Sequence, residues 1–302
     1  MKKRFVSACM VGLLAVSLAG CGAGNSAAEA AKTTAEEPKT EAATTAAESS
    51  ETSSEAASEA SESSAEADGA EEGTFTVGFD QDFPPMGFVG DDGEYTGFDL
   101  ELAQEVASRL GLKYVPQPIA WDAKDMELEA GTIDCIWNGF TMNGREDAYT
   151  WSDPYMDNSQ VFVVAADSGI STLADLAGKV VEVQTDSSAE AALKDNQELS
   201  SSFGTLQTVA DYNTAFMDLE MGAVDAIAMD VIVAGYQIKQ RNADFTILDD
   251  SLSAEEYGVG FKKGNTELRD KVQATLEDMA KDGTMKEISE KWFGEDVTTI
   301  GK

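Results

Sequence analysis

The chain has 302 residues, a formal net charge of −35 and no histidine. A chain this acidic is repelled by nucleic acid and by anionic lipid surfaces, so neither is expected as a partner. The lack of histidine excludes Ser-His and Cys-His nucleophile pairs and removes the most common metal ligand. We therefore expect no metal site, no cofactor and no catalytic residues.

The first residues have the pattern of an export signal. Basic residues at positions 2–4 precede an apolar run from Phe5 to Leu18, which is too short to span a bilayer. The following Leu-Ala-Gly-Cys at 18–21 resembles the lipobox of bacterial lipoproteins, which implies cleavage before Cys21, diacylglycerol on its sulfur and acylation, for example with palmitate, of its amine. The sequence therefore predicts a lipoprotein signal peptide at 1–20 and a chain anchored on the extracytoplasmic side of the cell membrane. An ordinary secretory signal with an incidental cysteine is the alternative.

Residues 21–72 have a composition of their own. After Cys21 they are mostly Ala, Ser, Thr, Glu and Gly, without any aromatic or branched aliphatic residue. Such a segment cannot bury enough apolar surface to offset the entropy lost on ordering, so we interpret it as a disordered acidic linker. Its negative charges repel one another and extend it, which suits a Gram-positive wall better than a periplasm.

Residues 73–302 alternate strand-like and helix-like runs, which indicates an α/β fold with mostly parallel sheets. The predicted strands are Thr74–Phe79, Ile133–Trp137, Gln160–Ala165, Lys179–Val183, Leu206–Val209 and Asp225–Met229. The predicted helices are one capped by Asp99 and ended by Gly111, a short one capped by Ser171, one from Ser187 to about Asn196, and three more at Tyr212–Met221, Val231–Arg241 and Asn265–Asp282. Cys135 remains free once Cys9 leaves with the signal and Cys21 is acylated, and its apolar surroundings predict a core position.

Four blocks of the sequence resemble, in the same order, the amino-acid-binding proteins of ABC importers, which are solute-binding proteins of family 3. The blocks are TFTVGFDQDFPPMGFVGDDGEYTGFDLELAQEVASRLGL, WNGFTMNGREDAYTWSDPYM, MGAVDAIAMD and DGTMKEISEKWFG. The resemblance covers nearly all of 74–294 and implies a two-lobed, type II periplasmic-binding-protein-like fold whose α/β lobes are joined by two hinge strands. Within a solute-binding domain at 73–302, lobe 1 would comprise about 74–154 and 258–302, and lobe 2 about 160–253. The hinges would fall near 155–159 and 254–257.

Two charged residues have the chemistry that an amino-acid site needs. An amino acid presents a carboxylate and an ammonium, so a selective cleft needs a fixed cation and a fixed anion. Arg145 suits the carboxylate, because its planar fork binds bidentately and it lies at the predicted start of a helix. Asp230 suits the ammonium, because it ends an apolar strand where open α/β sheets place their ligands. The resemblance assigns both roles and adds the amide and hydroxyl of Thr141 and the carbonyl of Gly139.

Each of these residues also has a structural interpretation. Arg145 could be a surface residue paired with Glu146 or Asp147, a kind of pair that contributes little to stability. Asp230 could cap the next helix, a role that is compatible with ligand binding.

The resemblance also gives contacts from the second lobe and for the ligand side chain. The backbone amides of Ser187 and Ser188, at a helix start, would meet the carboxylate from the far side of the cleft. The positions that match those facing the ligand side chain in relatives are Asp80, Phe83, Trp121 and Gln184, with core packing as the alternative for the two aromatic residues. These four side chains supply no cation, so we expect a polar or basic ligand rather than an acidic or apolar one.

The sequence thus predicts an extracytoplasmic substrate-binding lipoprotein of an amino-acid ABC importer. It would act as a monomer, capture a polar or basic L-amino acid between two closing lobes and deliver it to the permease subunits, without being an enzyme. One alternative is a dehydratase of the same fold that uses Asp230 as a base, which is disfavoured because an adjacent ammonium keeps this carboxylate ionised. The other is the ligand-sensing module of a membrane receptor, which usually continues into a transmembrane helix, and no apolar run after Leu18 is long enough for one.

Overall fold

The computed structural model describes residues 73–241 and 243–302. The predicted signal peptide at 1–20, the predicted lipidation site Cys21 and the predicted linker that follows it lie outside the described residues. None of the helices described is both long and apolar enough to cross a membrane.

The described residues form strands and helices in alternation along the chain. The strands are β1 (Thr74–Phe79), β2 (Asp82–Phe83), β3 (Gly87–Val89), β4 (Tyr95–Thr96), β5 (Lys113–Pro118), β6 (Cys135–Ile136), β7 (Thr150–Trp151), β8 (Met156–Ala165), β9 (Val180–Gln184), β10 (Thr205–Val209), β11 (Ala226–Asp230), β12 (Phe245–Ile247), β13 (Ser253–Tyr257) and β14 (Gly260–Phe261). The α-helices are α1 (Phe98–Leu110), α2 (Lys124–Ala130), α3 (Ser188–Asp195), α4 (Gln197–Ser200), α5 (Tyr212–Glu220), α6 (Val231–Arg241), α7 (Thr266–Asp282) and α8 (Thr284–Phe293). Short 3-10 helices lie at Trp121–Ala123 and Leu173–Leu176.

Lobe 1 is built on a five-stranded sheet in the order β5-β1-β6-β14-β7. In it β1 runs parallel to β5 and β6, whereas β14 runs antiparallel to β6 and β7. Helices α1, α7 and α8 pack against one another, and the buried side chains of Val106 and Leu276 belong to the same core as Phe75 and Val77 of β1. Cys135 is a free, fully buried thiol in this sheet, so its predicted core position is confirmed. The small antiparallel sheet β2-β3-β4 completes the lobe.

Lobe 2 is built on a second sheet in the order β10-β9-β11-β8-β12, with β13 also paired to β8. The three strands β9, β10 and β11 are parallel, in agreement with the alternating pattern. Strand β8, however, runs antiparallel to β11, β12 and β13, so the expectation of mostly parallel sheets is wrong for this lobe. The reason is that β8 brings the chain in from lobe 1 and is not preceded by a crossover helix of its own.

The two segments that connect the lobes pair with each other. The first half of β8 forms an antiparallel ladder with β13, in which Met156 lies opposite Tyr257 and Gln160 lies opposite Ser253. The backbone amide of Tyr155 continues the contact by donating to the carbonyl of Tyr257 at 2.9 Å. A paired ribbon therefore joins the two lobes.

Some helices have the N-cap residue that the sequence predicted, and others do not. Ser187 caps α3 through its side chain, which accepts from the Glu190 amide, and this confirms the predicted start. The short helix at 173–176 is capped by Thr172 rather than by Ser171. Asp99 does not cap α1, because the N-cap of this helix is Gly97. The side chain of Asp99 is buried and forms hydrogen bonds elsewhere in the lobe.

Candidate ligand site

A small cavity lies between the lobes, where the chain leaves the carboxyl ends of β6, β9 and β11. Nine of the ten residues predicted for the site line it; the full lining is Phe83, Trp121, Asn138, Gly139, Thr141, Arg145, Gln184, Ser187, Ser188 and Asp230. The tenth, Asp80, bonds to Gln184 at its edge. The free volume is about 10 Å³, close to the minimum that one water molecule needs, so the lobes are closed on each other and must separate to admit a ligand.

The loop after β6 is fixed by Gly139 and Asp99. Gly139 has φ of 55°, and a Cβ there would lie 2.9 Å from Cε1 of Phe83, so the position requires glycine. Its amide donates to Oδ2 of Asp99 at 2.6 Å, and the hydroxyl of Tyr155 donates to the same oxygen at 2.8 Å. Burial raises the pKa of Asp99 to about 7, against the opposing effect of these hydrogen bonds. The buried carboxyl thus holds the loop that carries Gly139 and Thr141.

Arg145 lies on a turn rather than at a helix start. Residues 142–148 form turns, with the Arg145 amide bonded to the Met142 carbonyl at 2.9 Å, so the predicted helix and its dipole are absent at this place. The guanidinium donates to the carbonyls of Thr141 at 3.3 Å and of Asp186 at 3.4 Å, the latter across the cleft. Its Cζ lies 5.3 Å from the ring centre of Phe140. The cation is therefore held at the cavity by lobe 1 and reaches lobe 2.

Asp230 is the buried anion of the site, with 3% of its surface exposed. Its Oδ1 accepts from Asn158 at 2.7 Å, from Gln160 at 2.8 Å and from the hydroxyl of Tyr257 at 2.6 Å. Because all of these donors share Oδ1, the other carboxylate oxygen remains for a ligand. Burial and the charge of Glu255 raise the pKa of Asp230 to about 7, and the hydrogen bonds oppose this shift.

From lobe 2, the start of α3 closes over the cavity. The hydroxyl of Ser188 lies 3.2 Å from that of Thr141 and accepts from Gln160 at 2.9 Å. The amide of Ser187 donates to the Gln184 carbonyl at 3.3 Å, so it is already engaged within the turn in this closed form. Of the two serine amides that were predicted to meet the ligand carboxylate, the amide of Ser188 at the first residue of α3 is therefore the one that is not used within the turn.

The four residues predicted to face the ligand side chain lie together. Gln184 donates to Asp80 across the cleft at 2.6 Å, and burial raises the pKa of Asp80 to about 6. The ring centre of Phe83 lies 6.0 Å from that of Tyr212 in lobe 2. Trp121 lines the cavity and also packs edge-on against Phe140, with centroids 5.5 Å apart, so it serves both the pocket and the core.

An acidic groove of about 540 Å³ lies beside the cavity, and Trp121 lines both. Its charged lining residues are all acidic, namely Asp80, Asp82, Asp122 and Asp211. A cationic group is therefore favoured in the groove, and a carboxylate is repelled.

Five residues of the site were not predicted from the sequence as ligand-site residues, namely Lys124, Asn138, Asn158, Gln160 and Glu255. Asn138 lines the cavity, and its Oδ1 accepts from the Asp80 amide at 3.1 Å. Asn158 and Gln160 are two positions apart in β8, so their side chains lie on the same face of the sheet. The signal that could have identified them is a pair of amide side chains two positions apart, directly before the apolar second half of β8.

The comparisons agree with this geometry. Residues 75–295 match the bacterial extracellular solute-binding proteins, family 3. The L-cystine-binding protein TcyJ of Escherichia coli K12 is 37% identical over 232 residues, which cover 76% of this chain and 85% of that protein, and the L-cystine-binding protein TcyA of Bacillus subtilis 168 is 31% identical, with 76% and 84% covered. A solved substrate-binding protein of an ABC uptake transporter from Streptococcus pneumoniae, with bound histidine, is 38% identical and superimposes with a TM-score of 0.73 over 75% of this chain and 94% of that one. The chain belongs to family 3 of the bacterial extracellular solute-binding proteins.

Proposed function

We propose that the chain captures an L-amino acid between its lobes and delivers it to the permease of an ABC importer. The observation that carries the proposal is the pairing of a cation and an anion at one closed cavity, with Arg145 at one wall and the buried Asp230 at another. An amino acid offers the complementary charges on two substituents of one carbon atom, a carboxylate for the arginine fork and an ammonium for the free oxygen of the aspartate.

We propose further that the ligand side chain is polar or cationic. Gln184 and Asp80 offer hydrogen bonds at the edge of the cavity, and the groove beyond them carries only acidic charges. Relatives are named for L-cystine, and a similar solved protein holds histidine, both of which have polar or ionisable side chains.

A ligand screen tests the proposal. Residues 73–302 would be heated with each of the twenty amino acids and with L-cystine, and a ligand at a hundred times its dissociation constant adds about 2.7 kcal/mol to the free energy of unfolding. Two analogues of the best ligand serve as matched controls: its N-acetyl form lacks the ammonium, and its amide lacks the carboxylate. Neither should stabilise the protein. Equal stabilisation by the N-acetyl form would contradict the role of Asp230.

We also propose that the protein is a monomer anchored by a lipid on Cys21, because Leu-Ala-Gly-Cys matches a lipobox and the acidic linker gives the binding domain reach. Cys21→Ser should release the protein from the membrane fraction while ligand affinity stays unchanged. A membrane-bound variant would show that another element holds it.

A further inference from the structure

Asp230 shares its hydrogen-bond donors with a second buried carboxylate, that of Glu255. Gln160 Nε2 lies 2.8 Å from Asp230 Oδ1 and 2.9 Å from Glu255 Oε2. Asn158 Nδ2 lies 2.7 Å and 3.3 Å from the same two oxygens, and the hydroxyl of Thr141 donates to Glu255 Oε2 at 2.9 Å. Only 3% of Asp230 and 7% of Glu255 are exposed. The two acids therefore belong to one buried polar network beside the cavity.

The groups that face Asp230 do not neutralise its charge. Glu255 and Tyr257 come from β13, and Tyr212 comes from α5. Burial raises the pKa of both tyrosines well above the ordinary value, so they are neutral near pH 7. Arg145 lines the same cavity, but its hydrogen bonds run to two backbone carbonyls. Within residues 73–241 and 243–302, no lysine or arginine forms an ion pair with either carboxylate.

Glu255 places a negative charge next to the buried Asp230, and the two side chains share neutral donors. This charge and the burial of Asp230 both disfavour the ionised form of Asp230. Burial first and the charge of Glu255 second raise the pKa of Asp230 to about 7. In this closed form, burial and the neighbouring charge therefore favour the protonated carboxyl of Asp230 near neutral pH.

Given the proposed function, we propose that Glu255 is a positioning residue that couples ligand capture to proton release. Asp230 holds a proton in the empty site and releases it to solvent when the ammonium of the ligand binds. The ammonium favours the ionised carboxylate, so the ligand and the proton compete for Asp230. Affinity therefore rises with pH and levels off above the pKa of the empty site. With a pKa of about 7, affinity at pH 8 is about tenfold that at pH 6.

Titration calorimetry on residues 22–302 tests this inference. The probes are L-arginine and L-glutamine, because the side chain of neither changes charge between pH 6 and pH 8. We expect about tenfold tighter binding at pH 8 than at pH 6 for the wild type. Heats measured at pH 6 in phosphate and in Tris should differ by the release of close to one proton per ligand.

Two variants of neighbouring residues separate the carboxylate of Glu255 from general electrostatics. Glu255→Gln keeps an oxygen that can accept from Thr141, Asn158 and Gln160, and it should move the midpoint of the pH dependence lower by at least about half a unit. Glu256→Gln removes the same charge from the exposed side of β13 and should leave the midpoint in place. If Glu255 were merely structural, its variant would change affinity by the same factor at every pH.

A measurement without ligand completes the test. Carbon-13 NMR of the Asp230 carboxyl carbon, assigned from its loss in Asp230→Asn, should give a midpoint near pH 7 in the empty wild type and a lower one in Glu255→Gln. A wild-type midpoint near 4, the ordinary aspartate value, overturns the inference. Tight binding that is independent of pH from 6 to 8 overturns the proton linkage alone. Absence of any amino-acid binding with an NMR midpoint near 7 counts against the proposed function instead.

Discussion

Lys124 of lobe 1 and Asp186 of lobe 2 form an ion pair across the cleft. The lysine Nζ also donates to the carbonyls of Trp121 and Asp186, both at 3.3 Å. The two partners differ in burial, since 2% of the lysine side chain and 54% of the aspartate side chain are exposed. Burial lowers the pKa of Lys124, and the contact with Asp186 opposes this shift. Asp186 itself has φ of 58°, in the left-handed region that favours glycine.

This difference in burial predicts unequal effects of removing each partner. Asp186→Asn leaves a buried, unpaired ammonium in the closed form, so it should disfavour closure and weaken ligand binding by at least about tenfold. Lys124→Met removes the charge together with its desolvation penalty and leaves the exposed Asp186 in water, so its effect should be smaller. Calorimetry gives the affinities, and small-angle scattering at saturating ligand gives the radius of gyration of the closed form.

The double variant is the decisive control. In the Lys124→Met background, Asp186→Asn should have almost no further effect, because the ammonium that it would leave unpaired is gone. Additive losses from the two substitutions would mean that Asp186 acts through its backbone conformation and not through Lys124.

Two glycines with positive φ allow a second prediction. Gly139→Ala places a Cβ 2.9 Å from Phe83 at the cavity, whereas Gly144→Ala, at φ of 78°, meets no atom within 4 Å. Both variants should lose about 1 to 2 kcal/mol of unfolding free energy from backbone strain. Only Gly139→Ala should lose more stability than this and also weaken ligand binding, which denaturant unfolding and calorimetry would show. Equal behaviour of the two variants would contradict the close packing around Gly139.

The sequence identifies the predicted site residues because most of them lie at strand ends or in the loops that follow. Asp230 ends β11 and Gln184 ends β9, and parallel strands end at the same edge of a sheet. Residue chemistry and strand pattern alone single out Arg145 and Asp230, whereas Gln184 and the other predicted site residues come from the resemblance to the family. Four sequence blocks in family order then set them within a two-lobed fold.

Residues whose roles depend on lobe closure escape the same reasoning. Lys124 lies in a short polar helix and has the pattern of a solvated residue, yet it is buried and pairs with Asp186, which is 62 positions away along the chain. Arg145 was expected at a helix start, but the turn through Gly144, with φ of 78°, gives only turn hydrogen bonds there. Glu255 lies on β13, which pairs with β8 in the ribbon that joins the lobes, so its burial depends on the hinge and not on its neighbours in sequence.

The role proposed for Arg145 predicts a graded series. Arg145→Ala should weaken binding at least about thirtyfold, since removing one partner of a desolvated charge pair costs about 2 to 5 kcal/mol. Arg145→Lys keeps the charge but loses the planar fork, so its affinity should lie between that of the wild type and that of Arg145→Ala. Arg109→Ala is the control, because Arg109 pairs with Glu105 and Asp282 away from the cavity. Near-native affinity of Arg145→Ala in calorimetry would remove this residue from the carboxylate contacts.

The preference of the site for a neutral over an acidic ligand side chain depends on Asp80. Its carboxylate, with a pKa of about 6, is largely ionised at pH 7.5 and accepts from Gln184 at 2.6 Å. Glutamine and glutamate have the same shape, so their affinity ratio isolates the effect of the second carboxylate on the ligand. We expect glutamine to bind at least about tenfold more tightly than glutamate, because like charges in a desolvated site repel by more than 1 kcal/mol.

Asp80→Asn should narrow this ratio, since it removes the repelling charge but keeps an oxygen for Gln184. Asp92→Asn is the matched control: Asp92 lies in the turn between β3 and β4, where its side chain accepts from the Glu94 amide, and the ratio should not change. Competition binding at pH 7.5 measures all three proteins. Tighter binding of glutamate than of glutamine by the wild type would mean that Lys124 leaves Asp186 to bind the second carboxylate, and Lys124→Met should then abolish that preference.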